Sequence, residues 1–302
     1  MRNIADEPEF FHEDICQVLS YYDIGEPLEI IPSKGTANLN YMVRTSNGEY
    51  FLRMRNKKYS DEVQLNYDHR LMRHLANKGI TGPNPILSKE GVTWVTVKDD
   101  VYELHPFIKG KKYERKNVRK LASAGRALAF YHKALEDFKD PHEKSLPRYD
   151  DPREVLAFLR EIETSLSRQV VEASETKLRV IAYLKDQMEN SLNIVTDEIY
   201  SSLPHTIIHG DYHPENVKFN DDEVCGIFDL DWASMQPRIR DIVDGILYFA
   251  ADRKSDIDGG NIYSLTQPCH ISLEKSRIFV TAYCEEGELI EDEIRYIPWF
   301  IR

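Results

Sequence analysis

Cysteines are few in this sequence, and none stands in a pair. The four positions, Cys16, Cys225, Cys269 and Cys284, are far apart, whereas structural zinc sites and redox motifs need two cysteines separated by about two residues. Long apolar runs are missing as well, because no stretch approaches the roughly 18 residues of a membrane-spanning helix. Charged residues near the start stand where a signal peptide would be apolar. We therefore expect reduced cysteines, a cytoplasmic protein and no membrane partner.

Positive charge is also scarce. Among the 302 residues, 51 are Asp or Glu and 39 are Lys or Arg, which gives a formal net charge of −12. This charge repels nucleic acid and anionic membrane surfaces, so we expect neither as a partner. The apolar content of 41% and the aromatic content of 11% are ordinary for a packed globular protein.

The first third of the chain has the pattern of an antiparallel sheet. Alternating apolar residues in "NYMVRTS" and "EYFLRMR" flank Asn47-Gly48, which predicts a hairpin with a type I′ turn. A helix follows, with Ser60 as its predicted N-cap and Gly79 as its predicted C-cap. "TWVTVKDDVYELHPFI" then predicts two more strands.

From Asn117 onward the apolar spacing becomes that of helices. "NVRKLASAGRALAFYHKAL", "DPREVLAFLREIETSLSRQ" and "ETKLRVIAYLKDQMENSL" all have apolar residues three to four apart. Strands followed by helices indicate an α+β chain with two separate lobes. We predict an N-terminal lobe over residues 1–104 and a helical C-terminal lobe over residues 105–302.

The segment "IIHGDYHPENVKFNDDEVCGIFDLDWA", residues 207–233, concentrates polar residues. His205, His209 and His213 recur every four residues, as zinc ligands on a helix do. Gly210 and Pro214 exclude a helix here, because proline removes a donor and clashes with the preceding turn. A metallohydrolase with ligands borne on loops stays open as an alternative.

The second half of this segment predicts a hairpin, in which "VKF" and "VCGIF" are strands joined by the turn "NDDE". The two ends of a hairpin lie side by side. This places the Asn216 carboxamide beside the Asp229 carboxylate, with Asp211 on the preceding loop. Oxygen ligands without cysteine suit a hard cation such as Mg²⁺, which binds one or two carboxylates together with phosphate oxygens.

The spacing His209-x-Asp211-x4-Asn216 equals the H-x-D-x4-N pattern of kinase catalytic loops. In that pattern the Asp handles the proton of the acceptor hydroxyl, the Asn holds a metal ion, and a second Asp holds metal from the following turn. Asp229 stands where that second Asp is required. All three roles are filled in order, which argues against the alternative that these are only polar loop residues.

"HGDYHPENV" and "GIFDLDWA" resemble segments of the aminoglycoside phosphotransferase and choline kinase superfamily, whose fold is protein-kinase-like. "RDIVDG", "ALAFYHKAL" and "ELHPFIKG" extend the resemblance over both lobes. It implies a small antiparallel-sheet N-lobe that binds the nucleotide, over residues 1–104, and a larger, mostly helical C-lobe that carries the catalytic and substrate-binding residues, over residues 105–302. It also implies ATP and Mg²⁺ as cofactors and transfer of the γ-phosphoryl group to a hydroxyl of a small molecule. Asp229-Leu230-Asp231 replaces the D-F-G of protein kinases, which argues against protein substrates.

The resemblance further implies a nucleotide site. Arg53 matches the strand-three Lys or Arg that neutralises phosphate charge. Its acidic helix partner would be Asp68, with Glu62 as the alternative. The backbone of linker residues Glu103 to His105 would bind adenine.

The phosphate loop departs from the protein-kinase pattern, because "SKGTANLNYMV" holds only Gly35 where that loop has three glycines. Phosphates would then be held by Ser33, Thr36 and backbone donors.

Acidic residues suggest a cationic acceptor. "CEEGELIEDE", residues 284–293, and the pair Asp241 and Asp244 could pair with amino groups in a cleft between the lobes. We expect an aminoglycoside, an amino sugar or an amino alcohol as the acceptor. A homoserine- or sugar-type metabolic kinase is the alternative. A catalytically silent ATP-binding protein is another, but its usual mark would be loss of Asp211, Asn216 or Asp229.

Overall fold

The computed structural model describes residues 8–33, 38–57, 60–144, 146, 148, 151–167, 174–255, 257, 261, 263–264 and 267–301. Within these residues no helix is both long and apolar enough to cross a membrane. All four cysteines are free thiols. The α+β fold predicted from the sequence is confirmed, with a sheet in the N-terminal part and helices dominating the rest.

The N-terminal lobe is built on a five-stranded antiparallel sheet in the order β1-β2-β3-β5-β4. A helix precedes the sheet and a second helix is inserted between its third and fourth strands. The elements are α1 (Pro8–Ser20), β1 (Pro27–Ser33), β2 (Leu39–Thr45), β3 (Glu49–Met54), α2 (Glu62–Asn77), β4 (Val95–Val97) and β5 (Asp100–Pro106).

The hairpin at Asn47-Gly48 joins β2 to β3 as predicted, but its turn is not of type I′. Neither residue has the positive φ that this turn requires. The Thr45 N–H instead donates to the Gly48 carbonyl at 2.8 Å. Positive φ values occur at Lys98 (50°) and Asp99 (67°), which form the two-residue turn between β4 and β5.

Helix α2 begins after Asp61 and not after the predicted Ser60. The Asp61 side chain accepts hydrogen bonds from the N–H groups of Val63 and Gln64, which otherwise lack partners at a helix start. At the other end Lys78 is the C-cap, and Gly79 follows it with φ 84°, a conformation that glycine adopts without strain.

The C-terminal lobe is mostly helical. Its helix α3 packs on α8, and Gly125 permits this approach because a Cβ at that position would lie 2.3 Å from the Phe279 carbonyl oxygen. The elements are α3 (Val118–Ala134), α4 (Pro152–Ser167), α5 (Ser174–Ile194), α6 (Asp197–Ser202), β6 (His205–Ile208), a 3₁₀ turn (Pro214–Asn216), β7 (Val217–Asn220), β8 (Glu223–Ile227), β9 (Ser234–Pro237), α7 (Ile239–Phe249), β10 (Ala251–Arg253), β11 (Cys269–Ile271), α8 (Leu273–Cys284) and α9 (Glu291–Phe300).

The predicted hairpin after Asn216 forms between β7 and β8, with Val217 opposite Ile227. Below it lies the larger core, which also contains Leu71 and Leu75 of α2. Helix α2 therefore packs against the C-terminal lobe, and its polar residues Asp68 and His69 contact Arg55 and Glu103 on the side of the sheet. The lobe boundary at 104/105 remains a prediction; β5 continues to Pro106, beyond that point.

Candidate active site

The loop between β6 and the 3₁₀ turn is held from beneath by a buried carboxylate. The N–H groups of His209 and Gly210 donate to Asp241 Oδ2 and Oδ1 at 2.6 and 2.9 Å. His132 Nε2 donates to the same carboxylate at 2.9 Å. Asp241 is fully buried at the start of α7. It fixes the loop backbone, so the expectation that Asp241 binds a cationic acceptor is wrong.

Asp211 and Asn216, predicted as base and metal ligand, face each other across this loop. Asn216 Nδ2 donates to the Asp211 carbonyl at 2.9 Å and to Asp211 Oδ2 at 3.2 Å. Because the amide nitrogen is turned towards Asp211, the amide oxygen is the Asn216 atom suited to a cation. The Asn216 carbonyl accepts the N–H of Phe228 at 2.9 Å. The two ends of the hairpin thus meet, as the sequence predicted.

The Asp211 carboxylate is stabilised in its ionised form. Burial alone would raise its pKa, but the hydrogen bond from His213 and the nearby imidazoles of His213 and His209 lower it overall. His213 Nε2 lies 3.3 Å from Asp211 Oδ2. An ionised carboxylate on a fixed loop can accept a proton from a hydroxyl placed beside it.

Asp229 follows β8 in a conformation that non-glycine residues rarely adopt. Its φ is 62°, which costs about 1–3 kcal/mol and is common at functional sites. Its side chain is 41% exposed. Burial of the surroundings and the charge of Asp231 raise the Asp229 pKa, while Arg53 opposes the shift. A divalent cation beside this carboxylate would relieve the repulsion, so Asn216 and Asp229 fit a hard metal ion.

Arg53 faces the segment Asp229-Leu230-Asp231, which we call the metal loop after its predicted role, and not Asp68. Its Nη2 lies 3.9 Å from Asp229 Oδ1, and its Nη1 lies 3.2 Å from Asp231 Oδ1. Burial would raise the Asp231 pKa, but Arg53 and Arg55 lower it overall. Arg53 therefore already contacts the carboxylates beside which a metal and phosphates would lie.

The predicted pairing of Arg53 with Asp68 is wrong, because Arg55 takes that place. Arg55 is 1% exposed, and its Nη2 and Nη1 lie 3.2 Å from Asp68 Oδ2 and 2.8 Å from Glu103 Oε1. Arg53 lies in β3 and Arg55 follows the strand directly, two positions further on. Asp68 of α2 contacts Arg55. Glu62, the alternative partner, is exposed in the first turn of α2.

Glu103 and His105 do not offer their backbone to a nucleotide. Arg55 N–H donates to the Val101 carbonyl, and Phe107 N–H donates to that of Glu49. These bonds show which β5 residues direct their backbone N–H and C=O groups towards β3. By the two-residue alternation of an antiparallel ladder, the backbone groups of Glu103 and His105 also point towards β3. The prediction of adenine contacts by these two residues is therefore corrected.

The Glu103 side chain is a buried anchor. Burial would raise its pKa, but hydrogen bonds from His105 and His69 and the charge of Arg55 hold it well below its usual range. The His69 and His105 Nε2 atoms lie 2.9 and 3.4 Å from its oxygens.

The predicted phosphate contacts of Ser33 and Thr36 remain predictions. Ser33 is the exposed last residue of β1 and stands opposite Asn40 of β2. Thr36 lies outside the described residues.

The histidines at 205, 209 and 213 do not converge on one point. His205 Nδ1 lies 2.7 Å from the Leu203 carbonyl, and His209 Nε2 donates to the Phe228 carbonyl at 2.8 Å, whereas His213 contacts Asp211. In the described part of the chain, no group of three or more His, Cys, Asp or Glu side chains could hold a metal ion.

Beyond Asp211, away from the metal loop, charges of both signs surround an aromatic ring. The rings of His213 and Tyr248 are 5.7 Å apart, and Arg253 lies 5.6 Å from the Tyr248 ring. Burial, followed by the carboxylates of Asp244 and Asp211, raises the pKa of Tyr248 to about 12.

The acidic run at 284–293 serves the fold. Glu285 pairs with Arg126 at 3.1 Å, and the buried Glu293 pairs with Arg238 at 2.8 Å. The expectation that this run lines the acceptor cleft is therefore not supported by these contacts.

Several solved structures share this fold. An amicoumacin kinase in complex with AMP-PNP, Ca²⁺ and Ami superposes with a TM-score of 0.68 at 17% identity, covering 98% of this chain and 83% of that one. A choline kinase from Cryptosporidium parvum superposes with a TM-score of 0.58 at 15% identity, covering 96% and 86%.

Sequence comparison gives more specific relatives. A homoserine kinase from Parvibaculum lavamentivorans is 26% identical over 300 residues, and one from Rhodopseudomonas palustris is 30% identical over 293 residues. The matches cover 96% of this chain and 81% and 80% of those proteins. The model of the phosphotransferase enzyme family matches residues 30–264.

Proposed function

We propose that this chain transfers the γ-phosphoryl group of ATP to the hydroxyl of a small amino acid, with homoserine as the first candidate. The chain belongs to the phosphotransferase enzyme family and is therefore a small-molecule kinase. The family resemblance noted in the sequence is confirmed. The observation that best supports the reaction is the loop geometry, in which Asn216 Nδ2 lies 3.2 Å from Asp211 Oδ2 beside the hairpin base that leads to Asp229.

Asp211 acts as the base in this proposal. The acceptor hydroxyl would donate its proton to the Asp211 carboxylate, and its oxygen would attack the γ-phosphorus as ADP leaves. Asn216 fixes the orientation of that carboxylate through its amide nitrogen. His213 keeps it ionised. Asp241 fixes the position of the loop backbone by accepting the N–H groups of His209 and Gly210.

Asn216 Oδ1 and Asp229 would hold Mg²⁺, with phosphate oxygens completing its coordination. When bound, the ion supplies charge neutralisation at the β- and γ-phosphates. The donor set has few protein ligands and no thiolate, which suits an ion that arrives with the nucleotide.

ATP would bind between the sheet and the metal loop. Arg53 is placed to exchange its carboxylate partners for phosphate oxygens. Ser33 and Thr36 remain proposed phosphate contacts. For adenine, the alternation that turns Glu103 and His105 towards β3 turns the Pro106 carbonyl and the Ile108 N–H away from it. We assign the adenine hydrogen bonds to those two groups.

The acceptor side favours a zwitterion over a polycation. Asp244 and Arg253 both lie near Tyr248, so charges of both signs flank the space next to Asp211. An amino acid carries an ammonium and a carboxylate, and could pair with both. The homoserine kinase relatives agree with this chemistry.

Three acceptors that differ by one charged group test the proposal. L-Homoserine, 3-aminopropan-1-ol, which lacks the carboxylate, and 4-hydroxybutyrate, which lacks the amine, are compared by ADP release with ATP and Mg²⁺. 2-Aminobutyrate, without the hydroxyl, controls for ATP hydrolysis. We expect the highest kcat/KM with homoserine. A higher value with 3-aminopropan-1-ol or an aminoglycoside would support the cationic-acceptor alternative. ATP binding without transfer to any hydroxyl compound would refute the kinase proposal.

A further inference from the structure

Lys144 connects the two lobes at a buried point that the proposed reaction does not use directly. It lies beyond α3, in the C-terminal part of the chain, and its side chain is 4% exposed. Its Nζ lies 3.2 Å from Asp68 Oδ1 on α2 and also donates to the Asp231 carbonyl. The Lys144 ammonium group thus bonds both helix α2 of the N-terminal lobe and the metal loop.

Lys144 belongs to a cluster of charged side chains at the junction of the lobes, which we call the inter-lobe charge cluster. Its members are linked by contacts of 3.9 Å or less. They are the cations Arg53, Arg55 and Lys144 and the carboxylates of Asp68, Glu103, Asp229 and Asp231.

Carboxylates outnumber cations in this cluster, so the two arginines are each shared between carboxylates, while Lys144 bonds the Asp68 carboxylate and the Asp231 carbonyl. Arg55 lies 3.2 Å from Asp68 and 3.6 Å from Asp231. Arg53 is divided between Asp229 and Asp231. A buried carboxylate that loses its cation becomes strongly unfavourable, because little solvent replaces the lost contact.

Binding of ATP changes this sharing. Phosphate oxygens draw Arg53 away from Asp231, as the proposed function requires. The Asp231 carboxylate then keeps only its contact with Arg55, while Lys144 still donates to the Asp231 carbonyl. If Lys144 were absent, Arg55 would be the cation left for both Asp68 and Asp231, while Glu103 would keep its bonds from His69 and His105. Arg53 would then be retained by the carboxylates.

We propose that Lys144 is a positioning residue for nucleotide binding, which acts through Asp68 and Asp231 to release Arg53 for the phosphates. In this proposal Lys144 acts through its bonds to Asp68 and Asp231 and not through a contact with nucleotide or acceptor. This inference rests on the proposed function for the direction in which Arg53 moves.

The test measures nucleotide affinity directly, without phosphoryl transfer. Isothermal titration calorimetry with AMP-PNP and Mg²⁺ compares the wild-type chain with Lys144→Met, which keeps the length and removes the charge, and with Lys144→Arg, which keeps the charge. Lys139→Met, at an exposed lysine of the same segment, is the matched control. We expect Kd to rise at least about tenfold in Lys144→Met, to rise less in Lys144→Arg, and to stay unchanged in Lys139→Met.

A purely structural role predicts a different pattern. It would lower the melting temperature of Lys144→Met but leave Kd at its wild-type value wherever the variant is folded, and that result overturns the proposal. Should Lys144→Met not fold, Lys144→Met with Asp68→Asn removes both charges together and leaves no newly unpaired carboxylate at Asp68. Arg55 then serves one carboxylate fewer, so Kd in this double variant should stay within about tenfold of the wild-type value, and a rise of about tenfold or more overturns the proposal.

The wild-type chain gives a reading that depends on no variant. Amide hydrogen exchange in residues 138–144 and in α2 should slow together when AMP-PNP and Mg²⁺ bind, and unchanged exchange in both contradicts the inference. The outcomes also separate the two proposals. A wild-type chain that binds AMP-PNP but phosphorylates no acceptor refutes the proposed function, while the affinities of the variants still decide the role of Lys144.

Discussion

Replacement of Asp241 by asparagine tests whether a buried charge holds the catalytic loop. The wild-type carboxylate accepts three hydrogen bonds, from the backbone N–H groups of His209 and Gly210 and from His132 Nε2. It is fully buried, so solvent does not replace a lost bond. Asparagine has nearly the same volume, but one of its terminal groups is an NH₂ that can only donate.

The three hydrogen bonds to Asp241 set how much stability the substitution removes. If the asparagine oxygen takes the place of Oδ2, it keeps the bonds from His209 and His132, and its NH₂ faces the N–H of Gly210. A buried N–H without an acceptor costs about 1–3 kcal/mol. The two remaining bonds become neutral and roughly half as strong. We expect the free energy of unfolding to fall by about 3–5 kcal/mol.

Activity should fall as well, because Asp211 is carried on the same loop. A displacement of the base by about 1 Å costs about 10²-fold in rate, so we expect kcat to fall by about that factor. Urea unfolding followed by circular dichroism gives the stability, and ADP release gives kcat. Asp244→Asn, on the same helix and partly exposed, is the control. Asp244→Asn should change the KM for the acceptor more than it changes the free energy of unfolding or kcat.

The pH dependence supplies a second reading. Burial would raise the Asp241 pKa, but His132, His209 and the loop N–H groups lower it overall. A carboxyl group whose pKa is lower in the folded state stabilises the fold above its unfolded pKa, and this contribution is lost as the pH falls through the folded value. Asp241→Asn should therefore flatten the loss of stability in acid. A variant with wild-type stability, kcat and acid sensitivity would refute the reasoning.

Four further substitutions address the other assigned roles. Asp211→Asn should lower kcat by about 10²–10⁴-fold with nucleotide affinity nearly unchanged, and unchanged ADP release contradicts its role as the base. Asp229→Ala should weaken nucleotide binding more in the presence of Mg²⁺ than in its absence, because the carboxylate acts through the ion; equal losses in both titrations would make it a structural residue. Arg53→Ala should raise the KM for ATP several-fold. Arg55→Ala should instead lower the free energy of unfolding by about 3–5 kcal/mol, because it leaves buried carboxylates without their cation. A reversed order of these two effects would show that the roles are exchanged.

Local patterns in the sequence were sufficient to predict the sheet of the N-terminal part, the helices that follow it and the close approach of Asp211 and Asn216. Alternation and turn residues predict the antiparallel strands, and the hairpin prediction brings Asn216 close to the residues before Asp229. The spacing of Asp211 and Asn216 predicts the side chains that the loop brings together. Such features depend on residues within a few positions of one another, where backbone geometry limits the possible arrangements.

The turn at Asn47-Gly48 shows where local inference weakens. The dipeptide predicts positive φ values, yet the structure has them at Lys98 and Asp99. Both hairpins form, because the pairing of their strands in a common sheet determines the connection more strongly than the intrinsic preference of the turn residues does.

Only the tertiary structure decided which charges meet between the lobes. Arg53 contacts Asp231 across 178 positions of the sequence, and Lys144 reaches Asp68 from a segment without periodic pattern. The two-residue period placed Arg53 and Arg55 on one face but did not tell which of them α2 would meet. That choice depends on how α2 packs against both lobes at once, which is set by the shared core and by the cost of burying a charge without a partner. The spacing in the sequence thus determined that Asp211 and Asn216 lie side by side, and the packing of the lobes determined which charged residues are paired between them.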